Sequence, residues 1–473
     1  MKHAVMRRFR TTVQFARAKV GRALLGLRTF MASPLARRLV LALFVLQAVF
    51  LVFTVRIGTP PDEANHIQFI SYYADHSLSP ILNQQQPTYN LGDKTREVDY
   101  LYHYVMSLIE RVLPLSRHAE ILSIRLFSVL FGLLAFMTLA RAFRLMGLTA
   151  GVITGTLLLL SNLPMILMLS SAVNNDALVW LGMSLGLLLL IRLWKKPTLL
   201  DLVWLINLSL LGGLVKRTFL PLGMVFGVLG LIVLVRHTRA IMIGLKRLNW
   251  QLALAVIVLL LGVGLFTERV GGNVVRYGKV VVSCDQVRGE AACYNFWVNV
   301  RARDLAQRTP EAQVAPINFA TRWVGESFVN IVDIQSQGWR HEVKPVRWLT
   351  PVLAWLFIAG LAYGVIYEFR RFTTDQRARW RVYIAGIALF YVGVQFMVNF
   401  TSYRHQHVFG LALNGRYILP GLLPLAGLAW FYWTQLLVKR PKLQVILAIG
   451  IVVCTVLGSG LLMMLHNSQL RTG

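Results

Sequence analysis

The stretch Arg56–Phe69, RIGTPPDEANHIQF, brings together two carboxylates, an amide and an imidazole: Asp62, Glu63, Asn65 and His66. A carboxylate here can accept a proton from a hydroxyl, cap a helix, or share a cation with the imidazole. Pro60 and Pro61 stop any preceding helix, so Asp62 fits the N-cap of a helix opening at Glu63. Both carboxylates then meet the positive end of that helix, for about 0.3–1 kcal/mol. Glu63 and His66 also have the Glu-x-x-His spacing of di-metal bundle sites, which need a second copy that the chain lacks. A divalent cation at Asp62, Glu63 and His66 is therefore the weaker reading, and no other cofactor is expected.

Three more polar clusters interrupt apolar surroundings. SSAVNNDAL carries Asn175 and Asp176; GGLVKRTF carries Lys216 and Arg217; SYRHQHVFGLALNGRYILP carries Arg404, Asn414, Arg416 and Tyr417. Each has a local explanation, as a capped turn, a hairpin tip or a snorkelling anchor. Together they make something else: a proton acceptor beside a cationic pocket of the size of a phosphate. That requires one fold to present all four clusters on one face.

The elements that could do so are membrane helices. Across 473 residues, 56% are hydrophobic and 15% charged, with a mean hydropathy of +0.58, which excludes a soluble globule of this size. Eleven apolar runs approach the roughly 20 residues that cross a bilayer. They are Leu39–Val55, Ile121–Arg141, Thr149–Leu169, Ala177–Trp194, Leu202–Val215, Phe219–Val235, Leu252–Thr267, Trp348–Tyr367, Val382–Phe400, Tyr417–Leu437 and Leu443–Leu465. The expected fold is all-α, a polytopic bundle (residues 39–473) with two long outer loops, 56–120 and 268–347.

Orientation follows from Lys and Arg, which stay cytoplasmic in short loops. A cytoplasmic N-terminus puts Arg141/Arg144, Lys195/Lys196, Arg236–Arg247, Arg370–Arg381 and Lys439–Lys442 on one side, and all four polar clusters on the other. Residues 1–38 hold ten basic residues and no acid, and Val5, Phe9, Val13, Ala16, Val20 and Leu24 recur at helical spacing. This reads as a basic amphipathic helix on the anionic inner leaflet. The net charge of +29 thus has a membrane explanation and calls for no nucleic acid. In SCDQVRGEAACY, Cys284 and Cys293 are expected to pair as a disulfide outside the membrane. Helices are expected at 62–74 and 97–113. Tyr100, Tyr102, Tyr104, Trp323, Phe328, Trp339 and Trp348 suit the membrane interface.

Several of these stretches, taken together, resemble the GT-C superfamily of integral membrane glycosyltransferases. They are PPDE (Pro60–Glu63), RLFSVLFGLLA (Arg125–Ala135), NNDAL (Asn174–Leu178), GGLVKRTFLPL (Gly212–Leu222) and NGRYILP (Asn414–Pro420). DYLYHYVM (Asp99–Met106) departs from the family, lacking the His-Pro-Pro run often found in its first loop. The resemblance implies transfer of a sugar from a polyprenyl-phosphate donor to the hydroxyl of a glycan or lipid acceptor. The reaction would run with inversion at the periplasmic face of a bacterial inner membrane, in cell-envelope glycan or lipopolysaccharide modification. Asp62 would be the base with Glu63 as its helper or alternative, and Lys216, Arg217 and Arg416 would meet the leaving phosphate. Asn65, His66, Asn175, Asp176, Arg404, Asn414 and Tyr417 would contact substrate, with membrane lipids as the remaining partner. The alternatives are a lipid-linked oligosaccharide polymerase or ligase, and a lipid-linked sugar flippase or transporter. Transport is the less favoured, because transporters place ionisable groups at mid-span in paired halves.

Overall fold

Where the first apolar run begins, Ser33 accepts the Ala36 N–H at 3.1 Å and Pro34 occupies the first helical position, which together fix a helix start. The first span is therefore Pro34–Thr54 (α1), and its first turn takes in Arg37 and Arg38 from the expected basic segment. A computed structural model describes residues 26–82, 85–113, 115–239, 241, 249–307, 314–332, 335–336, 339–340, 349–406 and 415–457. Most of the proposed amphipathic segment, 1–25, lies outside them.

The chain continues through α2 (Glu63–His76), α3 (Leu101–Val112), α4 (Arg117–Leu145), α5 (Ala150–Ser161), α6 (Pro164–Ser170), α7 (Asp176–Lys195), α8 (Leu199–Val215) and α9 (Leu220–Arg236). Then come α10 (Trp250–Phe266), α11 (Gly272–Tyr277), α12 (Cys284–Arg288), α13 (Glu290–Cys293), α14 (Trp297–Ala306), α15 (Pro316–Val332), α16 (Leu349–Phe369), α17 (Gln376–Gln406), α18 (Leu419–Leu436) and α19 (Pro441–Leu457). A two-residue antiparallel ladder pairs Gln335 with Arg340 and Ser336 with Trp339.

All eleven apolar runs are helical where described, and the fold is a polytopic helix bundle. By length and composition, seven described helices can cross a membrane, or eight if the bent pair α5–α6 is one span. The expected count of eleven is not confirmed by that measure among the described residues. Pro164 restarts the chain after α5 at an angle of 73°, α8 and the described part of α19 have 17 residues each, and α18 carries Pro420 and Pro424.

α4 lies along α7, the most buried span, and α1, α5 and α18 close around them. Phe44, Phe136, Leu139, Phe143, Trp180, Met183 and Leu187 fill the centre. Lipid is as apolar as leucine, so close packing rather than water exclusion holds such helices together. Gly186 receives the Phe226 ring and Gly427 the Phe143 ring, and a Cβ at either would collide with it.

The two ends of the bundle are polar. At one, Arg381 on α17 pairs with Glu368 on α16 and donates to the Met146 carbonyl at 2.9 Å. At the other, Arg125 on α4 enters the cluster described below. Between Arg125 and Met146, α4 runs roughly 30 Å, the thickness of a bilayer's hydrocarbon core.

The two long segments read as outer loops dock on each other. Arg96 pairs with Glu268 at 2.7 Å, Arg288 with Asp93, and the Trp297 N–H donates to the Tyr89 carbonyl at 2.9 Å. Cys284 and Cys293 form a disulfide. Tyr100, Tyr102 and Trp323 are buried within the protein instead of facing the membrane interface, because loop and helix close over them. Trp348 lies outside the described residues.

Candidate active site

The chain leaves α1 at Val55, turns through Gly58 (φ 83°) and the two prolines, and enters α2 at Glu63. The Glu63 carboxylate accepts Arg125 Nε at 2.8 Å, Arg125 Nη2 at 2.7 Å, the Gly58 N–H at 2.8 Å and the Val173 N–H at 2.8 Å. Both side chains of this pair are 0% exposed. Arg125 Nη1 also donates to the carbonyls of Val52 (2.9 Å) and Val55 (2.8 Å), which the end of α1 leaves without helical partners. Glu63 is thereby a structural anchor. Its oxygens are occupied and sealed from solvent, an unexpected setting for a residue read as the base's helper or alternative.

Asp62 differs from its neighbour in every respect. It stands at the N-cap position with φ 60° and ψ 4°, and its side chain caps nothing. The expected cap fails because capping needs extended backbone, whereas this residue is left-handed, a conformation that costs an L-residue about 1–2 kcal/mol. Its carboxylate turns to Arg416, on the short 3-10 turn Gly415–Ile418, and remains 38% exposed. Burial raises its pKa. The charges of Arg416, Lys216 and Arg217, with the Arg416 hydrogen bond, outweigh that and hold it below the usual carboxylate value.

Around this pair the other clusters gather. Arg416 Nη2 donates to the Tyr417 hydroxyl at 2.9 Å, and its guanidinium lies 4.9 Å from the centre of that ring. Lys216 Nζ lies 5.5 Å from the same ring and donates to Asp176 Oδ1 at 2.6 Å. Asp176 Oδ2 is buried with no hydrogen-bond partner among the described residues. Asn175 holds the Val215 carbonyl at 3.0 Å, which fixes the α8 end beside Lys216. Two carboxylate–cation pairs, Asp62–Arg416 and Lys216–Asp176, so flank the Tyr417 ring.

Of the other expected residues, His66 lies close enough for the Lys216 and Arg416 charges to lower its pKa, after burial and His103. Asn65 is half-buried on α2, and Arg217 is exposed at the start of its 3-10 turn, Arg217–Phe219. Arg404 is exposed on the last turn of α17, apart from the Asp62, Asp176 and Tyr417 contacts. Asn414 lies outside the described residues. Asp62, Glu63 and His66 do not converge, since each faces a different partner. Among the described residues no group of three His, Cys, Asp or Glu side chains is placed to hold a metal.

The sequence reading missed Arg125, Asn174, Asp99 and His103. Asn174 donates to the Pro61 carbonyl at 3.3 Å and accepts the Asp176 N–H at 2.7 Å, one residue before the N-cap of α7, Asn175. Burial and the Glu97 carboxylate beside it raise the Asp99 pKa above the usual carboxylate range. Asn174 stood unassigned in the SSAVNNDAL cluster, and Arg125 left a signal as an arginine inside an apolar helix, which by default marks a buried partner or a site.

No protein-family model and no curated protein matches the chain. Among solved structures it is similar to the crystal structure of ArnT from Cupriavidus metallidurans in the apo state. The sequence identity is 13% and the TM-score 0.31, over 83% of this chain and 76% of that one.

Proposed function

We propose that the chain is a GT-C-type glycosyltransferase of the bacterial inner membrane, with its N-terminus cytoplasmic, its C-terminus periplasmic and its site at the periplasmic face. The observation that carries this is the Asp62–Arg416 pair, a part-exposed carboxylate in strained backbone meeting a buried cation from the far end of the chain. Strained backbone persists where the surroundings over-determine it, and such places cluster at functional sites. The motifs that resemble the family supply the three residues beside that pair, Asp176, Lys216 and Tyr417. The Lys/Arg asymmetry and the Cys284–Cys293 disulfide support an oxidising outer face.

In the reaction, the hydroxyl oxygen of a glycan or lipid acceptor attacks the anomeric carbon of a polyprenyl-phosphate sugar. Its proton passes to Asp62. The bond from anomeric carbon to phosphate oxygen breaks, and its electron pair leaves with the polyprenyl phosphate, whose charge Arg416 and Lys216 meet. One displacement inverts the configuration. An apolar cavity of about 120 Å³ supports a place for the lipid chain: its wall includes Leu419 and Leu422, within two turns of Arg416, with Leu163, Phe328 and Trp430. Cell-envelope glycan or lipopolysaccharide is the acceptor class this placement suits.

The test is Asp62→Asn. Asparagine adopts left-handed backbone as readily as aspartate and still accepts from Arg416, but it takes no proton near neutral pH. The variant should insert and melt like the parent and lose transfer by about a hundredfold or more. Parental transfer would remove Asp62 from the chemistry.

A further inference from the structure

Asp62 is the one described residue other than glycine with positive φ, and the chain on each side of it is tied down from a different element. Behind it, the Pro61 carbonyl accepts from Asn174 Nδ2. Ahead of it, Glu63 is clamped by Arg125 of α4, by the Gly58 N–H and by the Val173 N–H. Asn174 and Val173 are neighbours in the turn between α6 and α7, so that turn holds both Pro61 and Glu63. Arg125 in turn grips the α1 carbonyls where the turn begins. Released from these ties, Asp62 would relax to the extended backbone of an ordinary N-cap, and its carboxylate would swing to the α2 N–H groups instead of Arg416.

We infer that Arg125 and Asn174 are positioning residues for Asp62, holding its backbone left-handed so that the carboxylate faces Arg416. They act through Glu63 and Pro61 and touch neither substrate nor the reacting atoms. The inference rests on Asp62 being the base. It differs from a purely structural role in what should change. A bundle clamp alters how much protein folds, whereas a positioning clamp alters turnover per folded molecule. Misplacing a catalytic group by about 1 Å can cost roughly a hundredfold in rate.

The experiment uses the full chain in nanodiscs, with a membrane extract of polyprenyl-phosphate sugars as donor and a lipopolysaccharide fraction as acceptor. Arg125→Met would strip Glu63 of its buried partner and fail to accumulate, so two milder variants carry the test. Asn174→Ser keeps an oxygen that can accept the Asp176 N–H but cannot reach Pro61, and Arg125→Lys keeps the charge but loses the two-pronged grip. Each should melt within a few degrees of the parent and keep its apparent donor KM within about twofold. Its kcat should fall, by about tenfold for Asn174→Ser and further for Arg125→Lys. Parental kcat in both, with Asp62→Asn inactive in the same assay, would overturn the positioning role and leave the base standing. A fall in melting temperature with unchanged kcat per folded molecule would also overturn it. Parental activity of Asp62→Asn would remove both readings together.

Discussion

At the scale of single residues, His66 and His103 show how far partners alone can fix a protonation state. His103 Nδ1 lies 3.1 Å from the Asp99 carbonyl, which can only accept, so that nitrogen carries the proton. Burial and the nearby Lys94 charge push His103 down to about 3, so its Nε2 is bare and accepts from His66 Nδ1 at 2.7 Å. His66, held well below its ordinary value by burial and by His103, is then left with a free acceptor at Nε2. The unfolded chain binds protons on both rings from about pH 6.5, whereas folded His103 does so only near pH 3. The unfolded state therefore holds more protons in that window, and stability falls as the pH drops from about 6.5 toward 3. The slope should be on the order of 1 kcal/mol per pH unit for each ring. Thermal melts between pH 7 and pH 5 should show this fall, and the double variant His66→Asn/His103→Asn should flatten it.

At the scale of elements, the second outer segment closes over the first through short helices that could not stand alone. Arg288 of α12 reaches Asp93 and the Gln85 carbonyl, while the Phe296 ring lies over Gly92, where a Cβ would press on it at 3.0 Å. The disulfide joins α12 to α13 across a separation of nine residues. By loop entropy it stabilises this unit by about 2–3 kcal/mol. With Cys284→Ser/Cys293→Ser, amide exchange should quicken in residues 284–300 and 85–95 and stay unchanged in α4 and α7; unchanged exchange in both regions would mean the docking survives without it. The elements themselves were legible because a bilayer leaves a coarse signal, long apolar runs, and helices α1, α4 and α7 follow theirs within a few residues. Breaks were less so, since Pro164 bends α5–α6 by an amount set by neighbours. The site was half legible. Asp62, Asp176, Lys216 and Arg416 stood out as polar groups at span ends. The cap weighed for Asp62 beside the base is not formed, because capping is a local rule and Arg416, 354 residues away, overrides it. Glu63 looked equivalent to Asp62 in sequence, and only the side on which Arg125 lies separates the two.

At the scale of the whole molecule, the two polar ends of the bundle should face opposite compartments. Single cysteines at Gln307 and Thr374 lie on the two sides of the Lys/Arg division. In intact cells an impermeant thiol reagent should label the Gln307 site and spare the Thr374 site, and the reverse pattern would put the Asp62 cluster in the cytoplasm. The Asp62–Arg416 contact also has a consequence in time. Glu63 can meet Arg125 once the second long helix has entered the membrane, 62 residues later, but Asp62 must wait for a partner 354 residues downstream. At roughly 5–20 residues per second of synthesis, that wait is on the order of 20–70 seconds. During it, Glu63 already has its arginine while Asp62 has none of the Arg416 contact that it makes in the finished chain. On the proposed mechanism a nascent chain would be chemically silent until nearly its whole length has been made, and ribosome-bound chains ending before Gly415 should be stable in the membrane yet inert.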